Sequence, residues 1–387
     1  MGAGGLWMPY KCDDPRIDKW SIDTLDELLT LSKSAMDINK NSNSDNKPPV
    51  EIVPTVYLTS SHRGPSIDDF VKSDYENKSH NKIITPLPDW TKDPRISFQH
   101  LTIEMLSWQN HVMNLRIPSE KELLDAKYTH AWLFHPPIVD PPRMLMVSED
   151  FKLVSYLSIL FIILYRTELC DTFFSLKGML KEIQSHYLMQ EDSKIDMNTK
   201  YASLEEMVND AKDLGCDVVA NCTGLGAARL CDDSSMIGGR GVLLHYDRSC
   251  SRREYSGEGL DRKHDACVLT EEGNWGSRNE PCYLIIRGDV LVVGGSYNEG
   301  DGEVTLRNKE KKRLEQNAWK LGIDTENTKS KAEWVGWRPC RPNVCVKSDN
   351  SIDPSIRIVH SYGVGGSGWT VFTGIAKETV KLLLNKG

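Results

Sequence analysis

The sequence predicts a two-lobed α/β (α+β) fold, and three observations carry that expectation. The chain has 387 residues, more than a single hydrophobic core serves well, so two lobes are expected. Near the C-terminus a strand pattern, Ile356–His360, runs through Gly363, Gly365, Gly366 and Gly368 into a helix-forming stretch, Thr373–Leu384. Upstream, a helical pattern over Ser203–Leu214 feeds a short strand pattern, Asp217–Ala220, which completes an α/β step.

Gly4 and Gly5 form a glycine turn leading into Leu6, Trp7 and Tyr10. Asn39–Pro49, rich in Asn, Ser, Lys and Pro, reads as a flexible surface loop. Ser203 with Glu206 three residues on is a capping-box pattern, and Leu204, Met207, Val208 and Ala211 follow at helical spacing. The next strand ends in Asn221-Cys222-Thr223-Gly224, a small-residue turn of the kind that closes strands in nucleotide-binding sheets. Leu243–Asn279 is long, charged and poor in apolar runs, which predicts a loop over one lobe. Tyr283–Ile286 and Val290–Gly294 predict a hairpin across Arg287-Gly288-Asp289. Arg307–Gln316 reads as a solvated helix face.

Two stretches have the chemistry of a site. In Trp334–Pro342, Arg338 and Arg341 stand among prolines and aromatics, and an arginine held that rigidly suits bidentate capture of a carboxylate. The plainer reading of Arg338 alone is a surface ion pair. In the C-terminal turn, the glycines bring main-chain N–H groups close to a partner without a Cβ in the way, and the following helix N-terminus adds a positive dipole end. A phosphate or an electron-rich ring would suit that cradle; a tight turn with close helix packing is the alternative.

A net charge of −8 argues against nucleic acid as a partner. Ten cysteines without a C-x-x-C pair read as reduced thiols in an intracellular protein, with Cys222 and Cys340 as small buried hydrophobes. The histidines show no metal-ligand spacing, so no metal site is expected. The apolar run Phe151–Arg166 falls short of the roughly 20 residues that cross a bilayer, so no membrane is expected either.

In order and separation, several segments resemble the D-amino-acid oxidase and D-aspartate oxidase family of flavoproteins. They are Gly4-Gly5-Leu6-Trp7-Met8-Pro9-Tyr10, Asn221-Cys222-Thr223-Gly224, Gly238-Gly239-Arg240-Gly241, Tyr283-Leu284-Ile285-Ile286-Arg287-Gly288, Gly336-Trp337-Arg338-Pro339-Cys340-Arg341-Pro342, and Tyr362–Thr370. Each is weak alone, and together they are collinear from end to end. The resemblance implies a discontinuous, Rossmann-like FAD-binding lobe and a substrate lobe on a mixed, largely antiparallel sheet. It assigns 1–38, 179–241 and 339–387 to the flavin lobe, and 39–146 (mostly) and 242–338 to the substrate lobe.

The chain departs from the family in several places. No βαβ dinucleotide unit precedes Gly4, which predicts weak FAD binding, and residues 147–178 form an apolar insert without a family counterpart. Both features fit either an imperfect gene reading or divergence of a real protein. Val364 and Met8 stand where relatives carry histidine and glutamine, and Asn279 stands where the family has a second tyrosine.

The resemblance implies that a D-amino acid loses its Cα hydrogen as hydride to FAD, the imino acid hydrolyses to a 2-oxo acid and ammonia, and oxygen is reduced to hydrogen peroxide. Arg338 would grip the substrate carboxylate, Tyr283 would support that grip, and Gly366 would place main-chain groups near the amino nitrogen. Gly4, Gly5, Leu6, Thr223, Gly365, Gly366, Ser367, Gly368, Trp369 and Thr370 would hold FAD. For Tyr283, packing in the sheet is the plainer reading. D-aspartate rather than neutral D-amino acids is the substrate expected, because Arg278 and Arg287 flank Tyr283 and either could meet a second carboxylate; the plainer reading of each is a solvent-exposed arginine, on a loop and on the hairpin turn. The alternatives are an amine oxidase of the glycine or sarcosine type, or a non-catalytic chain that does not retain FAD. The expected partners are a small D-amino acid and oxygen, and a homodimer is compatible. Location is peroxisomal by resemblance or cytoplasmic, since the C-terminus is not of the S-K-L type.

Overall fold

The computed structural model describes residues 4–9, 14–41, 48–60, 87–144, 200–250, 264–270, 275 and 280–384. In chain order, the first elements are helix α1 (Ile17–Asn41), β1 (Val50–Ile52), β2 (Thr55–Thr59), β3 (Gln99–Thr102), α2 (Ile103–Met113), β4 (Leu115–Arg116), α3 (Glu120–Asp125), β5 (His130–Phe134), β6 (Pro137–Val139) and α4 (Pro141–Met144). Then come α5 (Leu204–Asp213), β7 (Val218–Asn221), α6 (Ala227–Leu230), β8 (Ile237–Asp247), β9 (His264–Asp265), β10 (Cys267–Thr270), β11 (Tyr283–Arg287), β12 (Val290–Gly294) and β13 (Asn298–Glu299). Helix α7 (Asn308–Lys320), strands β14 (Ala332–Asp349) and β15 (Arg357–Val364), and helix α8 (Gly368–Leu384) complete the described chain. The fold is mixed α/β, as expected.

The chain divides into two units. The first comprises Met1–Lys11, Leu28–Asp140 and Arg240–Gly336, and the second Cys12–Glu27, Pro141–Gly239 and Trp337–Gly387. In the first, strands lie in the hydrogen-bonded order β3-β5-β2-β10-β11-β12-β8. All of those pairings are antiparallel except β10 with β2, which is parallel. Trp7, Trp90, Trp132 and Phe134 are buried in this unit, the indole of Trp90 meeting Trp7 edge-on at 5.9 Å between centroids. In the second unit, β14, β15 and β7 lie side by side; β14 pairs antiparallel and β7 parallel with β15.

Helix α8 lies against β15 and is crossed by the first turns of α1. Gly374 makes that crossing possible, because a Cβ there would stand 2.8 Å from the Trp20 carbonyl carbon. Trp20, Val344, Val346, Val371 and Ile375 form the apolar seam beside it. The Trp20 indole donates to Glu378 Oε2 at 2.7 Å, and Arg16 donates to the carbonyls of Val344 and Val346, to Asp14 and to Glu378.

Several local expectations are met and others need correction. The Ser203 hydroxyl accepts from Glu206 N at the start of α5, and the Tyr283/Val290 hairpin forms with Tyr283 opposite Gly294. Helix α8 starts at Gly368 rather than at Thr373, because the Ser367 carbonyl accepts from Thr370 N and Val371 N and so opens the first turn among the glycines. Leu243–Asn279 is not a loop throughout: β8 continues to Asp247, and β10 is buried between β2 and β11. Charge hid those strands, since Arg248 and Asp265 pair at 2.7 Å beside them. Nor is Arg307–Gln316 simply solvated, for Glu310 and Leu314 on α7 are buried. Of Asn39–Pro49, residues 39–41 close α1, and 42–47 lie outside the described residues. The insert 147–178, Arg278 and Asn279 also lie outside them. Among the described residues, no helix is long and apolar enough to cross a membrane.

Candidate functional site

In the second unit the chain leaves β15 through Gly363, with φ +89°, and Gly365, with φ +57°, left-handed conformations that favour glycine. Gly365 N donates to Pro339 O at 2.8 Å, so the turn is tied to the arginine-bearing stretch of β14. Ser367 N donates to Val364 O at 3.2 Å, and α8 starts at once. Ser367 O accepts from Thr370 N and Val371 N, so the start of this 17-residue helix presents its positive dipole end to the turn.

Arg338 lies against this turn. A Cβ built on Gly366 would sit 3.5 Å from Arg338 Cδ and 3.8 Å from its Nε, and Arg338 Nη1 reaches Gly239 O at 3.5 Å. The structure therefore brings Arg338, Gly365 and Gly366 together. Arg338 also groups with the unit of the glycine turn, whereas the sequence reading had placed it in the other lobe. Chain continuity explains the difference, since Pro339 is already bonded to the turn.

Thr223 sits in the same unit at the end of β7. Its N and Oγ1 both donate to Asn221 Oδ1, at 3.3 and 2.9 Å. Asn221 is fully buried; its amide nitrogen lies 3.0 Å from His360 Nδ1 and donates to Cys231 Sγ at 3.0 Å. Thr223 then caps a short helical turn, Gly224–Gly226. Cys222 beside it is buried, and burial pushes its thiol up to about 12, which makes it the inert hydrophobe expected.

Arg341 is not available as a substrate ligand in the way its motif allows. Its Nε donates to Asp233 Oδ2 at 2.9 Å and its Nη1 to Asn343 O at 2.6 Å, and the Tyr362 hydroxyl donates to the same Asp233 oxygen at 3.0 Å. Burial alone would raise the Asp233 carboxyl, but hydrogen bonds from Ser235, Arg341 and Tyr362 outweigh it and bring it down to about 2. Sequence reasoning missed Asp233, because the Asp-Asp-Ser-Ser run 232–235 carries no motif.

In the first unit, Gly4–Trp7 runs along the edge of β6: Leu6 bridges Ile138, Trp7 N donates to Pro137 O at 3.0 Å, and Val139 N donates to Gly5 O at 2.8 Å. Gly5 has φ +77°, and a Cβ there would collide with Val139 O. Gly4 is equally tight, its Cβ position 2.5 Å from Ile285 Cδ1. These glycines are thus packed on the sheet that carries Tyr283, not grouped with Gly365–Thr370 as the reading of 1–38 expected.

The Tyr283 ring lies over Gly294 and Gly295, where a Cβ at Gly295 would stand 2.6 Å from its hydroxyl. By strand alternation and register, Tyr283, Ile285, Arg287, His245 and Leu243 share one face. Arg287 is 4 % exposed, so it is not the solvated hairpin arginine of the plainer reading. Burial, with Arg287 adding positive charge, lowers the buried His245 to about 4.

The comparisons with known proteins follow the same chemistry. A family model described as FAD dependent oxidoreductase (DAO) matches residues 195–382. A D-amino-acid oxidase of Dictyostelium discoideum is 31% identical over 172 residues, 43% of each chain. D-aspartate oxidase 1 of Caenorhabditis elegans is 26% identical over 196 residues, 48% of this chain and 50% of that one. The chain thus spans about half the length of the curated relatives it matches. Among solved structures, glycine oxidase from Bacillus cereus superposes with a TM-score of 0.53 at 9% identity, covering 98% of this chain and 84% of that one. Iminodiacetate oxidase from Chelativorans sp. gives 0.52 at 11%, covering 99% and 85%. At such identities these two show the fold alone. Residues 195–382, which carry Thr223, Tyr283, Arg338 and the glycine turn, match the family model of FAD dependent oxidoreductases (DAO), and the relatives this chain is similar to are named D-amino-acid oxidase and D-aspartate oxidase.

Proposed function

We propose that this chain is an FAD-dependent oxidase of D-amino acids, producing a 2-oxo acid, ammonia and hydrogen peroxide. The observation that carries the reading is Arg338 held against Gly366 beside a helix N-terminus, which sets a carboxylate-binding guanidinium next to a glycine turn at a positive dipole end.

The residues present fit FAD. A Cβ-free main chain at Gly365 and Gly366 leaves room for an aromatic ring system, and the positive dipole end of α8 suits its electron-rich edge. Ser367, Gly368, Trp369 and Thr370 form the first turn of that helix and its entry, and Thr223 offers a second turn in the same unit. When bound, FAD supplies the two-electron acceptor for the substrate hydride. The chain's part is orientation. Arg338 takes the substrate carboxylate in a bidentate pair, and the main chain at Gly365–Gly366 faces the amino group, so no side-chain base is required. Among D-amino acids, D-aspartate is the substrate we expect, since D-aspartate oxidase 1 of Caenorhabditis elegans is among the relatives this chain is similar to.

The test is direct. The purified full chain is titrated with FAD, then mixed anaerobically with D-aspartate, D-alanine, glycine or sarcosine while flavin absorbance is followed, and oxygen uptake is recorded in parallel. Bleaching by D-amino acids supports the reading; bleaching by glycine and sarcosine alone makes it a glycine-type oxidase, and failure to take up FAD overturns it.

A further inference from the structure

We propose that Asp233, Arg341 and Tyr362 form a positioning clamp that sets the glycine turn against Arg338, a role that rests on the FAD-oxidase reading of that turn. The need for a clamp follows from the sheet. Strands β14 and β15 pair Cys345 with Tyr362 and Cys340 with Val364, so four residues of β14, Arg341 to Val344, face the single residue Gly363 on β15. The main-chain ladder is interrupted there, directly before the turn, and an interrupted ladder leaves a strand free to bend.

Side chains bridge the gap. Arg341 projects from the bulge and Tyr362 from the strand opposite, and both donate to Asp233 Oδ2, at 2.9 and 3.0 Å. Asp233 is itself held from below by Ser235 N at 3.1 Å and by the Ser235 hydroxyl. Gly363 rests on the arginine stem, its Cβ position 2.9 Å from Arg341 Cβ and 3.1 Å from Cδ, so the turn cannot settle further without moving Arg341. On the far side of the bulge, Pro339 O accepts from Gly365 N, and Arg338 packs under Gly366. The two arginines of one motif therefore divide the work. Arg338 faces the turn as a ligand, and Arg341 holds the strand from which Arg338 projects.

The clamp differs from ordinary structural pairing in what its loss should disturb. Hydrogen–deuterium exchange is measured on the full chain without FAD, for wild type, Arg341→Leu, Asp233→Asn and the milder Tyr362→Phe. The expected result is at least tenfold faster exchange of the Gly365 amide in the first two variants and a smaller acceleration in the third, with α5 and the Tyr283 hairpin unchanged. Arg341→Lys, which keeps a cation on Asp233, should fall between wild type and Arg341→Leu. Lys212→Met, which breaks a surface ion pair with Asp353 in the same unit, should leave the Gly365 amide as it was.

A second arm titrates FAD and records KM and kcat with D-alanine and D-aspartate. The variants should bind FAD at least fivefold more weakly and raise KM more than they lower kcat. Unchanged exchange at Gly365, acceleration spread evenly over the chain, or faster exchange with unaltered FAD affinity and KM would each overturn the proposal. A wild-type chain that takes up no FAD overturns the oxidase reading and with it the site role of the clamp, while the exchange arm still decides whether these residues order the turn.

Discussion

Arg240 grips both carboxylate oxygens of Glu310, Nη1 at 2.7 Å and Nη2 at 3.1 Å, with its side chain fully buried. The guanidinium also donates to Glu303 O and Thr305 O, so α7 is fastened to β8 through one arginine. Replacing Arg240 by methionine should destabilise the protein by about 3 to 5 kcal/mol, because Glu310 is left buried without its main cation. Adding Glu310→Leu should recover most of that loss. Urea unfolding of the two variants checks the prediction, and a single variant as stable as wild type would show that the pair contributes little.

Gly294 and Tyr283 pose a different constraint. A methyl group at Gly294 would enter the Tyr283 ring, so Gly294→Ala should cost about 1 to 3 kcal/mol through overpacking. Tyr283→Ala in the same chain should relieve it, since the nearest atoms to that methyl all belong to Tyr283. Thermal melts of the single and double variants measure the coupling.

Arg338→Leu removes the proposed carboxylate contact, a charge-assisted hydrogen bond worth roughly 1.5 to 3 kcal/mol, which predicts a fall in kcat/KM on the order of 10 to 100-fold. Flavin absorbance at saturating FAD should persist, because the contact with Gly366 is made by the arginine's methylene stem and Nε rather than by a donor to FAD. Oxygen uptake with D-aspartate and D-alanine is the measurement. Full activity in the variant would remove Arg338 from the site.

His245 makes stability depend on acid. Its folded value, about 4, lies below the usual 6.5, because burial and then Arg287 oppose its protonation. A group depressed in the folded state binds its proton more readily when unfolded, so its contribution is complete above pH 6.5 and is lost as pH falls toward 4. On the order of 2 to 3 kcal/mol should disappear across that window. His245→Asn should flatten the slope, as denaturation at pH 7, 6, 5 and 4 would reveal.

Much of the local structure was legible because period and chemistry agreed. The hairpin at Tyr283 sets two continuous apolar runs on either side of a glycine turn, and α5 carries its cap and its apolar stripe within ten residues. One comparable signal was passed over. Trp20, Thr24, Leu25, Leu28 and Leu31 lie on the buried side of α1 at helical spacing, readable in the same way. Leu243–Asn279 failed for the opposite reason, since its charges pair with one another in the fold and composition alone cannot show that.

By itself, then, the sequence determined the elements built from neighbours in the chain: the strand, glycine turn and helix at the C-terminus, the capped helix before β7, and the motif that marks Arg338. Tertiary structure decided which of two motif arginines is spent on a distant aspartate, which face of the hairpin buries Arg287, and which residues Gly4 and Gly5 press against. Asp233 and Arg341 are 108 positions apart, and Arg240 and Glu310 are 70 apart. Whether such groups meet depends on strand register and on burial by elements far along the chain, and neither is encoded in the residues that flank them.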